Sequence, residues 1–146
     1  MKRILIADDH ESVLRRVRGM IESHSGWEIC GDAVTGRQTI AKAAELKPDL
    51  VVLDFAMPQM DGLKTAAAIK ALLPKVPILM FTMYSSAVTS EAERHGIFRV
   101  IDKAKSGALL TAIEEVFASQ EQELLTEQEP AAPSPAATII PITRAS

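Results

Sequence analysis

Three short runs of uninterrupted apolar residues, each stopping at a reactive or charged side chain, constrain this chain more than any other feature. Residues 4–7 stop at Asp8 and Asp9, residues 50–53 at Asp54 and residues 78–81 at Thr82; a further mostly apolar stretch, residues 98–101, is interrupted by Arg99 and leads into Asp102 and Lys103. Runs this short with no polar alternation fit strands buried on both faces, which is the situation inside a parallel sheet. Residues 27–33 read as a further strand.

The segments between these runs have helical periodicity. Over residues 12–24, Val13, Leu14, Val17, Met20 and Ile21 recur at three-to-four spacing, with Arg15, Arg16 and Arg18 on the opposite face. Residues 35–46 predict a second helix with Ile40, Ala43, Ala44 and Leu46 inward, ended by Pro48, and residues 62–72 a third after the Asp61-Gly62 turn. A weaker pattern over residues 86–95 rests on Val88 and Ala92, and Leu109, Leu110, Ile113, Val116 and Phe117 stripe a final helix. Strand and helix alternate throughout. That alternation predicts an α/β fold of three layers, with helices on both faces of a parallel sheet joined by right-handed crossovers.

At 146 residues and 47% apolar content the chain suffices for one domain with one core. Residues 1–124 are assigned to that domain. Residues 125–146 form a Pro- and Ala-rich tail or linker, predicted disordered, because they offer little apolar surface to offset ordering entropy. Ile139, Ile140 and Ile142 are its apolar exception. A net charge of −3 argues against direct nucleic-acid binding, which needs clustered Lys and Arg. The single cysteine, Cys30, has no internal partner, and His10, His24 and His95 lack zinc-ligand spacing. No apolar run approaches a signal-peptide core or a membrane span, so a cytoplasmic location is expected.

In a parallel α/β sheet, ligands bind beyond the carboxyl ends of the strands. Asp8, Asp9, Asp54, Thr82 and Lys103 should therefore meet at one edge. Three carboxylates in one pocket repel, by about 4 kcal/mol for a pair at ~4 Å and an effective dielectric of 20, so they call for a cation. A hard, oxygen-rich site with few protein ligands suits Mg²⁺, which shares its remaining positions with water and phosphate. Lys103 adds a mobile positive charge and Thr82 a hydroxyl donor. The pattern points to phosphoryl transfer onto a carboxylate.

Over residues 2–124 the chain resembles the receiver domains of two-component response regulators. The resemblance rests on Asp8-Asp9, on Val51-Val52-Leu53-Asp54 with Met57-Pro58-Gln59-Met60-Asp61-Gly62, on Thr82 and on Lys103. Residues 26–31 and 33–36 further resemble the NarL/LuxR-type subfamily, in which the receiver precedes a helix-turn-helix DNA-binding domain. The resemblance implies a flavodoxin-like (βα)5 fold with strand order 2-1-3-4-5. It implies Asp54 as phosphoacceptor, Asp9 as a direct Mg²⁺ ligand, Asp8 acting through a metal-bound water, and the Ala56 backbone carbonyl as a further ligand. Thr82 and Lys103 would engage the phosphoryl group, while Ala56 and Tyr84 would tune its lifetime. The implied partners are a sensor histidine kinase or phosphotransfer protein and a second copy bound through the face of helix four, strand five and helix five. The chain departs from the pattern at Val100, where a Tyr or Phe is common, and at Ala104, where many members have a proline.

Several residues have a plainer reading. Asp61 is expected to cap a helix, His10 to be a surface residue, Cys30 to pack as a small hydrophobe, and Met57 and Met60 to pack near the active edge. Two other functions compete: a Mg²⁺-dependent phosphohydrolase, although its usual Asp-x-Asp is replaced by adjacent Asp8-Asp9, and an interaction module with a disused pocket.

Overall fold

The computed structural model describes residues 1–128. Five strands and five helices alternate: β1 (Lys2–Ala7), α1 (Glu11–Glu22), β2 (Trp27–Ala33), α2 (Gly36–Leu46), β3 (Leu50–Leu53), α3 (Gly62–Leu72), β4 (Ile78–Thr82), α4 (Ser85–Arg94), β5 (Arg99–Asp102) and α5 (Ser106–Gln128). The strands form one parallel sheet of order β2-β1-β3-β4-β5, the expected flavodoxin-like arrangement.

Registers run Ala7 opposite Leu53, Leu53 opposite Met80, and Thr82 opposite Asp102. This alignment brings the carboxyl ends of β1, β3, β4 and β5 to one edge. The order reverses between β1 and β3, the switch point at which such sheets leave a crevice.

Every residue of β3 and β4 is buried, as is the apolar part of β1, which explains why these strands carry no polar alternation. The helices bury one stripe each: Leu14, Val17 and Ile21 in α1, Ala66 and Ile69 with Thr65 in α3, Val88 and Ala92 in α4. Burying a side chain of Leu or Ile size stabilises by about 1.5–3 kcal/mol, so this double-sided core is the main source of stability.

Several boundaries and faces differ from the sequence expectation. β1 starts at Lys2 because Arg3 at its charged opening is fully engaged: its N–H donates to Asp49 Oδ2 (2.8 Å) and its guanidinium to the Leu46 carbonyl (2.7 Å) at the end of α2. The inward face of α2 is Gly36, Thr39 and Ala43, whereas Ala44 is exposed and Ile40 and Leu46 are half-buried. One residue turns a helix by about 100°, so the buried Ala43 carries Ala44 off the stripe. Thr39 escaped notice as a core residue because its polarity is satisfied internally, its hydroxyl donating to the Thr35 carbonyl (2.7 Å).

α5 runs to Gln128, past the domain end placed at residue 124, since Gln, Glu and Leu sustain a helix and no proline intervenes before Pro130. The rest of the expected tail, with Ile139, Ile140 and Ile142, lies outside the described residues. Among the described residues no helix is long and apolar enough to cross a membrane.

Candidate functional site: an acidic pocket at the sheet edge

Each pocket residue is held by the strand end that carries it. Asp8 follows β1 directly, its N–H donating to the Ala33 carbonyl of β2 (3.0 Å), and Asp54 follows β3 with its N–H on the Ala7 carbonyl of β1 (3.0 Å). Thr82 is the last residue of β4, and the Lys103 N–H reaches back to its carbonyl (3.1 Å). The backbone ladder itself thus aims these side chains into one crevice.

Lys103 ties the pocket together. Its Nζ lies 2.5 Å from Asp8 Oδ2 and 3.2 Å from Asp54 Oδ2, and all three side chains are nearly withdrawn from solvent, at 9%, 5% and 4% exposure. Asp9 is more open, with 30% of its side chain exposed. One ammonium thus bridges Asp8 and Asp54, with Asp9 beside Asp8, leaving an excess of negative charge at a partly desolvated site. Asp54 Oδ1 and Asp9 Oδ1 are buried and make no hydrogen bond. Burial is the main reason the Asp54 carboxyl is pushed above its ordinary range; Lys103 pulls it back, the Asp8 charge pushes it further up, and the Thr82 hydroxyl and Lys103 favour ionisation by hydrogen bonding.

The loops around the pocket are specified by close approach and local hydrogen bonds. Gly62 opens α3 directly beside the phosphoacceptor candidate: a Cβ there would sit 2.4 Å from the Asp54 carbonyl oxygen and 2.7 Å from Phe55 Cα, so only glycine fits. Its N–H closes the loop on the Phe55 carbonyl (2.6 Å). Asp61 is the N-cap of α3, its carboxylate accepting from Lys64 N (2.9 Å), as expected. Met57 is buried and Met60 packs over Gly36, the packing roles expected of them.

Ala56 is half-buried, two residues beyond Asp54. Tyr84 is exposed and its ring meets Phe55 edge to face at 6.2 Å, linking the loops after β3 and β4. The Thr82 hydroxyl accepts from Tyr84 N (3.2 Å), and Tyr84 is the N-cap of α4.

The two departures have physical explanations. Val100 is half-buried against the core. Ala104 donates its N–H to Asp102 Oδ1 (2.8 Å), a bond a proline could not make, and Asp102 also accepts from Ser85 Oγ at 3.4 Å. This Asp102 turn, which sets the loop carrying Lys103, was missed in the sequence, though an Asp two residues before a used N–H is the ordinary signal for it. His10 is exposed as expected, yet its ring stands against the acidic pair, Nδ1 being 3.2 Å from Asp8 Oδ1 and 3.1 Å from Asp9 Oδ1. Cys30 is half-buried with its thiol shifted up by burial.

Comparison with known proteins agrees with this architecture. Residues 4–114 match the family model described as the response regulator receiver domain. The chain is 33% identical over 108 residues to the response regulator protein VraR of Staphylococcus aureus, an alignment covering 74% of this chain and 48% of that protein. The chain thus spans about half the length of the curated relatives it matches.

Among solved structures, a LuxR-family two-component response regulator from Aurantimonas sp. SI85-9A1 superposes with a TM-score of 0.78 at 30% identity, over 82% of this chain and 86% of that one. A CheY-like receiver domain protein from Methanospirillum hungatei JF-1 gives 0.77 at 30% identity, over 84% and 98%. With the sheet order, the strand-end pocket and the family match in agreement, this chain belongs to the response regulator receiver domain family of two-component signalling.

Proposed function

We propose that this receiver is a phosphoacceptor switch in which Asp54 takes a phosphoryl group from phosphohistidine on a sensor kinase or phosphotransfer protein, with Mg²⁺ held by the acidic pocket. The observation that carries this reading is the buried Asp54 carboxylate, with Oδ2 on Lys103 and Oδ1 without a partner. A buried, unsatisfied carboxylate oxygen beside two further carboxylates fits a bound cation. Asp8, Asp9, Asp54 and the Ala56 carbonyl would hold it. When bound, Mg²⁺ supplies charge neutralisation for the transferring group.

The chain's own residues account for the rest. A carboxylate oxygen of Asp54 forms the new O–P bond as the donor's N–P bond breaks, and the donor imidazole keeps the electron pair. Lys103 moves its ammonium from the Asp54 carboxylate to a phosphoryl oxygen, and the Thr82 hydroxyl donates to another. These positioned donors stabilise charge that develops during the transfer, which is where most of the acceleration in such reactions arises. Water later attacks phosphorus and returns the carboxylate, so the chain turns over only its own phosphoryl group.

Drawing Thr82 and Lys103 toward the phosphoryl group alters the start of α4 and the end of β5, because Thr82 holds Tyr84 N and Lys103 follows Asp102. The face of α4 and β5, with residues 106–114 of α5, is the proposed contact for an output partner or a second copy.

The test is intact mass after incubation with Mg²⁺ and acetyl phosphate. Wild type is expected to gain a single hydroxylamine-labile phosphoryl adduct; Asp54→Asn, or wild type in EDTA, is expected to gain none. Labelling that persists in folded Asp54→Asn would reassign the acceptor.

A further inference from the structure

We infer that Asp102 is a positioning residue for the phosphoryl transfer, fixing the backbone of Lys103 so that its ammonium can pass from the Asp54 carboxylate to a phosphoryl oxygen. This rests on the reading of Asp54 as the phosphoacceptor and names the residue that sets where Lys103 starts.

Lys103 enters the pocket from a turn, not from a strand. β5 ends at Asp102, and the Lys105 N–H donates to the Asp102 carbonyl (2.8 Å), closing a four-residue turn with Lys103 and Ala104 at its centre. Asp is favoured at the first position of such a turn because its carboxylate can bond an N–H two residues on. Asp102 makes that bond, Oδ1 accepting from Ala104 N at 2.8 Å. Lys103 is thereby bracketed by two bonds to the residue before it, one to the carbonyl and one to the carboxylate. Its own N–H donates to the Thr82 carbonyl (3.1 Å), which sets the turn against the end of β4.

The Asp102 carboxylate acts on the backbone and not on the ammonium. Among the described residues the ion pairs of Lys103 are with Asp8 and Asp54, while Asp102 Oδ2 is approached by Ser85 Oγ at 3.4 Å. Ala104 and Lys105 are exposed, so burial does little for this turn and local hydrogen bonds must hold it. A flexible four-carbon stem keeps its aim only if its Cα is fixed, and the strand pairing that fixes Asp102 ends there. Misplacing a group by about 1 Å can cost roughly a hundredfold in rate, so a loosened turn should be felt in the transfer.

The experiment measures the initial rate of acetyl phosphate labelling by intact mass, on the full chain, over a range of Mg²⁺ concentrations. The proteins are wild type, Asp102→Asn, Asp102→Ser and Asp102→Ala. Asn keeps the side-chain oxygen without the charge, Ser makes the same bond more weakly, and Ala lacks it. At saturating Mg²⁺, Asp102→Asn is expected to stay within about threefold of wild type and Asp102→Ala to be slower by about tenfold or more, with Asp102→Ser between them. The half-saturating Mg²⁺ concentration should stay within about twofold throughout, because Asp8, Asp9 and Asp54 are untouched.

Asp102→Ala labelling at the wild-type rate would overturn the inference. So would Asp102→Asn as slow as Asp102→Ala, which would make the charge the cause, or a slowing that excess Mg²⁺ removes, which would place the effect at the cation. If Asp102→Ala does not fold, Asp102→Ser as fast as Asp102→Asn is the refuting result. No adduct on folded wild type would overturn the phosphoacceptor reading itself, whereas equal rates in wild type and all variants would overturn only the role of Asp102.

Discussion

Replacing Lys103 with methionine isolates the electrostatics of the pocket, because the apolar stem is kept while the ammonium that pairs with both Asp8 and Asp54 is removed. The two oxygens that share Nζ lie within about 6 Å of one another, and at an effective dielectric of 20 two unit charges at that distance repel by about 3 kcal/mol. Loss of one partner from a buried ion pair costs about 3–5 kcal/mol, which agrees. Lys103→Met is therefore expected to lose about 3 kcal/mol of unfolding free energy, measured by urea titration in EDTA at low salt. A pH of about 8 suits the measurement, since burial already holds the Asp54 carboxyl high and proton uptake would otherwise mask the cost.

Divalent cation supplies the second arm. An ion that binds only the folded state stabilises it by about 2.7 kcal/mol at a hundred times its dissociation constant. Without Lys103 competing for Asp8 and Asp54, Mg²⁺ should bind more tightly, so its stabilising increment should be larger in Lys103→Met than in wild type. Adding Asp54→Asn should restore most of the loss, a non-additivity diagnostic of contacting charges. A loss below about 1 kcal/mol, with equal Mg²⁺ increments in both proteins, would show that the pair behaves as a solvated surface bridge and would refute the reasoning.

Other predictions concern the scaffold. Gly62→Ala should destabilise by about 2–3 kcal/mol and reduce acetyl phosphate labelling, because its Cβ meets backbone that cannot move aside; a melting temperature equal to wild type would contradict this. Thr35→Ala and Asp61→Ala should each cost about 1 kcal/mol by urea titration, since Thr35 accepts from Gln38 N and Asp61 from Lys64 N at their helix starts. Burial raises the Cys30 thiol, so the unfolded chain ionises first as pH rises. Stability should therefore decline once pH passes the ordinary thiol range, and alkylation of the folded protein should lag that of the unfolded chain at the same pH. Cys30→Ala should flatten the stability decline.

Most of the fold was legible because burial on both faces leaves a distinct mark. β3 and α3 match their expected limits, and β2 does too, since apolar strands and amphipathic helices must start and stop where polarity, glycine or proline changes. The misplacements occur where polar residues do structural work. Lys2 and Arg3 hide the start of β1, and Thr39 hides in the core.

The candidate site divides in the same way. Asp8, Asp9, Asp54, Thr82 and Lys103 could be named in advance because each follows an apolar run, and parallel strands must deliver such residues to a common edge. Their chemistry and order were written along the chain. Which atoms pair was not: the bridge from Lys103 to both Asp8 and Asp54, the Asp102 turn that needs the Ala104 N–H, and the approach of His10 to the acidic pair all depend on rotamers and loop geometry.

The sequence by itself therefore determined the α/β class, the strand-end location of the pocket and its excess of negative charge, since periodicity and residue type are local properties. Only the tertiary structure decided the exposure of each carboxylate, the direction in which Asp54 is shifted and the oxygens left without partners. Those are sums over neighbours distant in the chain, as with Lys103 and Asp54, which are 49 residues apart.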